Sequence, residues 1–200
     1  MFSSHTHRRL RWHPLAVIAA MLLALPAAAQ GTHRFASSIT EDPADELRAR
    51  HLLIPVEGVT AAQLRDTYNS ARSGGRVHDA IDIHAPRGTP VRATADGTIR
   101  KLHAGDRGGL SLYQMDDDGR TRYYYAHLDQ YADGIIEGRR VRRGEVIGYV
   151  GDTGNAQPGD YHLHFSIAIL HHPSRWWEGT NVNPYDVLAR DPSRMAHRGQ

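Results

Sequence analysis

The strongest constraint on how this chain folds is a series of short strand-like segments, separated by glycine-containing turns, that runs from Leu52 to Leu188. Turn signals recur about every 8–12 residues, a spacing typical of antiparallel β-domains. One predicted hairpin turns at Asp96-Gly97 and another at residues 116–120. The pattern therefore predicts a mainly β fold, an antiparallel sheet or sandwich, with few short helices.

The N-terminal side of this region offers weaker local signals. Residues 42–51 are predicted as either a short helix or part of a mobile linker. Residues 52–56 are predicted as a strand. Residues 60–68 are predicted as a short helical turn, with Thr60 as its cap.

The start of the chain has the features of an export signal. Three arginines precede an uncharged apolar stretch, Leu15–Leu25, and Ala27-Ala28-Ala29 matches a signal-peptidase site. A retained anchor is the alternative, but a membrane span needs about 20 apolar residues. We expect a chain that is exported to the periplasm, or secreted, and keeps no membrane span after cleavage. The predicted parts are a signal peptide at 1–29, a polar N-terminal segment or linker at 30–51, a folded domain at 52–189 and a C-terminal tail at 190–200.

The composition excludes two classes of protein. The chain has no cysteine, which rules out a disulfide framework and a lipoprotein anchor. Removing the three arginines of the signal segment changes the formal net charge from +2 to −1. The high pI is therefore no argument for a nucleic-acid partner, and we predict none.

One candidate pair of metal ligands is His78 and Asp82. Side chains alternate between the faces of an extended strand, so positions 78 and 82 share a face. Imidazole nitrogen and carboxylate oxygen are both zinc donors. This spacing alone favours a surface pair over a metal site. His84 lies on the same face as Asp82, so a place near the metal is open to it as well.

A second pair, His162 and His164, lies in an apolar segment. Both point to one face of the predicted strand, while Leu163 and Phe165 point to the other. Two imidazoles on such a strand are costly unless they are used. We favour a functional site here over two exposed edge histidines. His127 is a weaker candidate at the end of the aromatic segment Tyr123-Tyr124-Tyr125.

These motifs together resemble the lysostaphin-type (LytM-like) zinc metallopeptidases, over most of the chain after residue 53. The family has a His, three residues and an Asp, then a histidine after an aromatic strand, then a His-x-His. This sequence departs in having Ala80 where the family often has glycine. The resemblance implies a LytM-like β domain with a substrate groove and one Zn²⁺ per chain. It implies that the zinc ligands are His78, Asp82 and His164, and that the catalytic histidines are His127 and His162.

The resemblance also implies the activity, a metalloendopeptidase that cuts the peptide stems of bacterial peptidoglycan with zinc-activated water. We expect a D,D-endopeptidase, with His162 as the general base and His127 as the oxyanion partner, although these two roles can be exchanged. The main alternative is a non-catalytic relative that activates cell-wall amidases. A zinc enzyme acting on another peptidoglycan bond is a further alternative. Asn69 is either a solvated turn residue or a fourth ligand in a latent state.

Overall fold

The computed structural model describes residues 43–189, and two helices and eleven strands form within that range. The helices are α1 (Pro43–Ala49) and α2 (Pro184–Leu188). The strands are β1 (Ala71–Arg72), β2 (Arg76–Val77), β3 (Ile81–His84), β4 (Pro90–Arg92), β5 (Gly97–Gly105), β6 (Gly109–Asp116), β7 (Thr121–Tyr131), β8 (Arg140–Val141), β9 (Val146–Val150), β10 (His162–Leu170) and β11 (Gly179–Val182). The predicted signal peptide and C-terminal tail lie outside the described residues.

Nine of these strands form one sheet, in which every recorded pairing is antiparallel. Its main order is β11-β10-β7-β6-β5-β8, with β3 beside β10, and β9 beside both β7 and β4. Strands β1 and β2 form a separate small hairpin. The predicted mainly β, antiparallel fold is confirmed. No helix between residues 43 and 189 is long and apolar enough to cross a bilayer.

The two faces of the sheet differ because side chains alternate along each strand. On β7, Tyr123 and Tyr125 are fully buried, and on β10 so are Leu163 and Phe165. Burying side chains of this size contributes about 1.5–3 kcal/mol each. The alternate positions on both strands point to the opposite face, where His164 lies. The packed face therefore holds the strands in register while the other face is available for chemistry.

The predicted hairpin at Asp96-Gly97 is wrong. Strand β4 pairs with β9, whereas β5 pairs with β6 and β8. A type I′ turn requires positive φ at both central residues, and neither residue has it here. Gly97 instead permits a close approach of two strands, since a Cβ there would lie 2.1 Å from the Met115 carbonyl oxygen. The second predicted hairpin, between β6 and β7, is confirmed.

The N-terminal predictions have mixed outcomes. Residues 43–49 form helix α1, and Leu47 is 1% exposed in the core, so the packed unit begins before the predicted boundary at residue 52. The strand predicted at 52–56 is wrong, because only Val56 forms an isolated bridge. Pro55 lacks the N–H that a central strand position needs. The helical turn is confirmed in part, as a 3₁₀ turn at Ala61–Gln63.

Two glycines join the turn between β5 and β6 to the loop that follows β9. Gly109 and Gly154 both have positive φ, and a Cβ on Gly109 would lie 2.2 Å from Thr153 Oγ1 and 2.5 Å from the Gly154 nitrogen. Leu110 N–H also donates to Thr153 Oγ1 at 3.0 Å. A side chain at either glycine would push these two backbone segments apart.

We expect Gly109→Ala to destabilise the protein by several kcal/mol, because it adds a clash with backbone to the cost of positive φ. Gly119 is the matched control, since it has positive φ and nothing lies within 4 Å of its added Cβ. Gly119→Ala should cost only about 1–2 kcal/mol, the price of the left-handed conformation. Urea denaturation of both variants measures the difference. Equal losses would contradict the close approach described here.

Candidate metal centre

Three side chains that could bind a metal ion converge on the solvent-facing side of the sheet. His78 Nε2 lies 3.0 Å from Asp82 Oδ1 and 3.0 Å from His164 Nδ1. His164 Nδ1 lies 3.4 Å from Asp82 Oδ1. Asp82 and His164 face each other in the register of β3 and β10. The predicted ligand residues therefore come together, with one donor atom from each side chain.

The route that brings His78 to this cluster differs from the sequence prediction. His78 and Asp82 were predicted on one face of one strand, which is wrong. Strand β3 begins only at Ile81, and Asp79 has φ +56°, a left-handed conformation that bends the chain after His78. The bend brings the His78 imidazole next to the Asp82 carboxylate, although the two residues do not lie in one strand.

The donor set fits a cation. His78 Nδ1 lies 2.9 Å from the Thr67 carbonyl oxygen, which fixes the proton on Nδ1 and leaves a lone pair on Nε2 in the neutral ring. That lone pair faces Asp82 Oδ1, a buried atom without a hydrogen-bond partner in the described part of the chain. Two electron-rich atoms in contact repel each other. A divalent ion between them removes the repulsion and satisfies the orphaned oxygen.

Two residues that sequence reasoning missed support the ligands. Thr67 accepts the His78 N–H through its carbonyl oxygen and the Asp82 backbone N–H through Oγ1, at 3.1 Å. Arg72 Nη2 donates to Asp82 Oδ2 at 2.6 Å. The carboxylate thus has one oxygen held by Arg72 and the other directed at the two imidazoles. No sequence signal indicates Thr67, because part of its role is played by a backbone carbonyl.

Both predicted catalytic histidines lie next to the three donors. The ring centroids of His127 and His162 are 4.9 Å apart, and those of His127 and His164 are 5.7 Å apart. His162 Nε2 lies 3.8 Å from Asp82 Oδ1. All five predicted site residues therefore gather at one place.

Backbone carbonyls orient the two catalytic candidates in the same way. His127 Nδ1 lies 2.7 Å from the Thr153 oxygen, and His162 Nδ1 lies 2.7 Å from the Asp160 oxygen. In the neutral rings both Nδ1 atoms donate, so both Nε2 atoms carry a lone pair. Each ring is thereby set to accept a proton at Nε2.

His127 is held in a strained backbone conformation. It was predicted at the end of a strand, but β7 continues to Tyr131, and His127 lies inside it with φ +60°. Such a conformation costs a non-glycine residue about 1–2 kcal/mol. The pairing of β7 with β10 ends at Ala126, one residue earlier. The His127 N–H instead donates to the Gly108 carbonyl oxygen at 2.8 Å. The irregularity turns the imidazole toward the donor cluster.

The other candidates from the sequence lie outside the three-donor cluster. His84 is exposed, and its Nε2 lies 3.1 Å from Asp160 Oδ1, so that its ring is beside His162 and away from the donors. Asn69 lies in an exposed turn and does not line the groove around the donors.

A groove of about 380 Å³ surrounds the five residues. Besides them it is lined by Arg72, Arg76, Val77, Arg107, Gly108, Tyr124, Ala126, Asn155, Ala156, Gln157 and Asp160. The lining comes from the β1–β2 hairpin, the β5–β6 turn and the loop before β10. The arrangement can hold one metal ion beside two proton acceptors in an open cleft, as metal-assisted hydrolysis requires.

We expect Arg72→Gln to lower the affinity for Zn²⁺ by roughly 10–100-fold, because the substitution removes the charged partner that orients the Asp82 carboxylate. Competition with a chromogenic chelator measures the affinity. Arg142→Gln, an exposed arginine outside the groove, is the matched control and should leave it unchanged. Equal affinities for the two variants would show that Arg72 does not support the ligand.

The metal-free protein should become less stable as the pH is lowered, because of His127. Burial, together with the nearby His162 and His164, lowers the pKa of its imidazole to about 4. The ring of an unfolded chain titrates near 6.5. The unfolded state therefore binds more protons between these values, and stability is lost as pH falls through that window.

Replacing His127 by Gln removes that contribution. The loss of unfolding free energy between pH 7 and pH 5 should then be smaller by about 2 kcal/mol. Urea denaturation of the metal-free proteins at the two pH values measures it. The exposed His103→Gln variant serves as the control. A pH dependence identical in wild type and His127→Gln would contradict the effect of burial.

The chain is similar in sequence to known peptidases. The model of peptidase family M23 matches residues 76–184. An L-Ala–D-Glu endopeptidase of Bacillus subtilis is 36% identical over 131 residues, which are 62% of this chain and 39% of that protein. The DD-carboxypeptidase/endopeptidase Mpg of Neisseria meningitidis is 40% identical over 118 residues, which are 58% of this chain and 24% of that protein.

A comparison of structures agrees with the comparison of sequences. The catalytic domain of lysostaphin from Staphylococcus simulans superposes with a TM-score of 0.51 and 26% identity, over 75% of this chain and 100% of that domain. The chain thus spans less than half the length of the two curated relatives, and all of one solved catalytic domain. Since the family model covers more than half of the sequence, the chain belongs to peptidase family M23, as its lysostaphin-type motifs implied.

Proposed function

We propose that this chain is a zinc-dependent endopeptidase that hydrolyses the peptide cross-links of bacterial peptidoglycan. The observation that carries the proposal is the convergence of three metal donors and two proton-accepting histidines in one groove. The relatives named above act on an L-Ala–D-Glu bond or as a DD-carboxypeptidase/endopeptidase. We propose D,D-endopeptidase activity for this chain.

The donor set supports zinc as the metal. It consists of two imidazole nitrogens and one carboxylate oxygen, a common catalytic zinc set with three protein ligands and one open position. Zinc bonds of about 2 Å in a tetrahedral site place ligand atoms roughly 3.3 Å apart. The separations of 3.0, 3.0 and 3.4 Å between the donor atoms agree with that value. When bound, zinc supplies a Lewis acid and lowers the pKa of water to about 7.

The two remaining histidines handle the protons. His162, with its lone pair on Nε2, takes the proton from the attacking water and returns it to the leaving amine. His127 stabilises the oxyanion, which requires a proton on its own Nε2. Burial disfavours that protonated form, and the developing negative charge of the oxyanion favours it. The proton is taken up from solvent through the open groove before the chemical step, so His127 donates as the imidazolium, which the charge of the oxyanion stabilises.

The proposed substrate agrees with the predicted export of the chain. Peptidoglycan lies outside the cytoplasmic membrane, so the enzyme must cross that membrane to reach it. The signal-like segment at 1–29 would provide the route. We propose the periplasm as the location, with secretion as the alternative.

The proposal is tested by incubating the zinc-loaded protein with purified sacculi and analysing the released fragments by mass spectrometry. We expect cross-linked dimers to be converted to monomers by cleavage between D-alanine and the diamino acid, and a chelator to stop the reaction. An activator of amidases would release no fragments by itself. Absence of any fragment from zinc-loaded protein would overturn the proposal.

Variants separate metal binding from proton transfer. His78→Ala, Asp82→Ala and His164→Ala should lose both zinc and activity, because each removes a ligand. His127→Ala and His162→Ala should keep zinc and lose at least about 100-fold in kcat, since each removes a proton-handling group. His103→Ala, at an exposed position outside the groove, should match wild type in both. Full zinc content in the three ligand variants would refute the ligand assignment, and wild-type rates in the other two would remove those histidines from the mechanism.

A further inference from the structure

The groove around the donor cluster carries an excess of positive charge. Three arginines line it, Arg72, Arg76 and Arg107, together with two carboxylates, Asp82 and Asp160. Asp82 is already bonded to Arg72, and Asp160 to His84. A bound divalent cation adds further positive charge. The groove is thus suited to an anionic ligand.

Arg76 and Arg107 are the arginines of the groove that have no carboxylate partner among residues 43–189. The recorded side-chain bond of Arg76 goes to the Ser73 carbonyl oxygen, at 3.2 Å. Both side chains are exposed to the solvent of the groove. Arginines elsewhere on the surface often have such a partner, as Arg87 has in Asp129 at 2.6 Å. Two guanidinium groups are therefore available for a ligand in the groove.

The two arginines reach the groove from different sides of the donor cluster. Arg76 belongs to β2, two residues before His78, on the side of β3. Arg107 belongs to the β5–β6 turn, beyond β10, β7 and β6 in the sheet. Hydrogen bonds hold that turn in place, from Asn155 N–H to the Arg107 carbonyl oxygen at 3.0 Å and from His127 N–H to that of Gly108. A peptide lying across the donors would pass both guanidinium groups.

Guanidinium groups bind carboxylates through paired charged hydrogen bonds. We propose that Arg76 and Arg107 form a carboxylate-binding subsite with one guanidinium group on each side of the donors. The subsite selects cross-linked peptides whose diamino acids bear free carboxylates, one for each arginine. This inference rests on the proposed function and adds the substrate class. Glycine bridges, which lack such a carboxylate, do not use the subsite. The selection predicts a preference for direct D-alanine-to-diamino-acid cross-links.

The test compares two synthetic peptide dimers with the full zinc-loaded chain. One dimer has free carboxylates on the diamino acid, and in the other they are primary carboxamides of nearly the same shape. We expect wild type to favour the free acid by about tenfold in kcat/KM, chiefly through KM, because charged hydrogen bonds to the ground state are lost in the amide. Arg76→Gln and Arg107→Gln should each reduce this preference, because each keeps one of the two guanidinium groups, and Arg76→Lys should restore part of it.

Binding gives a readout that does not depend on turnover. Calorimetry with zinc-loaded His162→Ala should show a Kd about tenfold lower for the acid dimer than for the amide. Arg142→Gln in the same background is the matched control and should keep the difference. Circular dichroism and zinc content verify that the arginine variants are folded.

The outcomes separate this inference from the proposed function. Cleavage of both dimers at equal rates, unaffected by the arginine variants, overturns the subsite and leaves the endopeptidase intact. Cleavage of neither dimer by zinc-loaded wild type counts against the proposed endopeptidase. In that case equal Kd values for the two dimers would overturn the subsite as well, whereas a charge-dependent Kd that is reduced in Arg76→Gln and in Arg107→Gln would support it.

Discussion

The antiparallel pairing of β10 with β3 on one side and β7 on the other is the contact from which the site follows. It sets His164 opposite Asp82 and also opposite Ala126, one residue before His127. A slip of one residue would send His162 and His164 into the core and bring Leu163 and Phe165 to the surface. The buried face of β10 therefore holds the candidate site in register, so core packing and the position of the site residues depend on the same strand.

Backbone carbonyls prepare the histidines for their roles. Those of Thr67, Thr153 and Asp160 each accept a hydrogen bond from the Nδ1 of one imidazole. Each bond leaves a lone pair on the opposite nitrogen of a neutral ring. A carbonyl is fixed by the fold and does not titrate, so these orientations persist over a wide pH range. The site also requires an unfavourable backbone conformation at two residues, since His127 and Asp79 both adopt positive φ.

The arginines of the groove have two different roles. Arg72 is bonded to Asp82 and contributes to the metal ligand. Arg76 and Arg107 have no such partner in the described part of the chain, and we assign them to the substrate. The two curated relatives are named for different peptidase activities, and a shared fold does not by itself set the substrate. We therefore assign the choice of substrate to the side chains along the groove.

The amino-acid sequence alone was enough to predict the class of fold, and its resemblance to a known family pointed to the five residues of the candidate site. Period-2 alternation in segments such as Leu163–Phe165 is a local property, so it could be read without coordinates. The pairing of strands could not be predicted in the same way. Asp96-Gly97 has the composition of a hairpin turn, yet β4 pairs with the distant β9 because a long-range contact overrides the local preference. The contacts of Thr67 and Arg72 with the candidate ligands, and the presence of Arg76 and Arg107 in the same groove, became visible only in the three-dimensional fold. These contacts join segments whose proximity depends on the whole sheet.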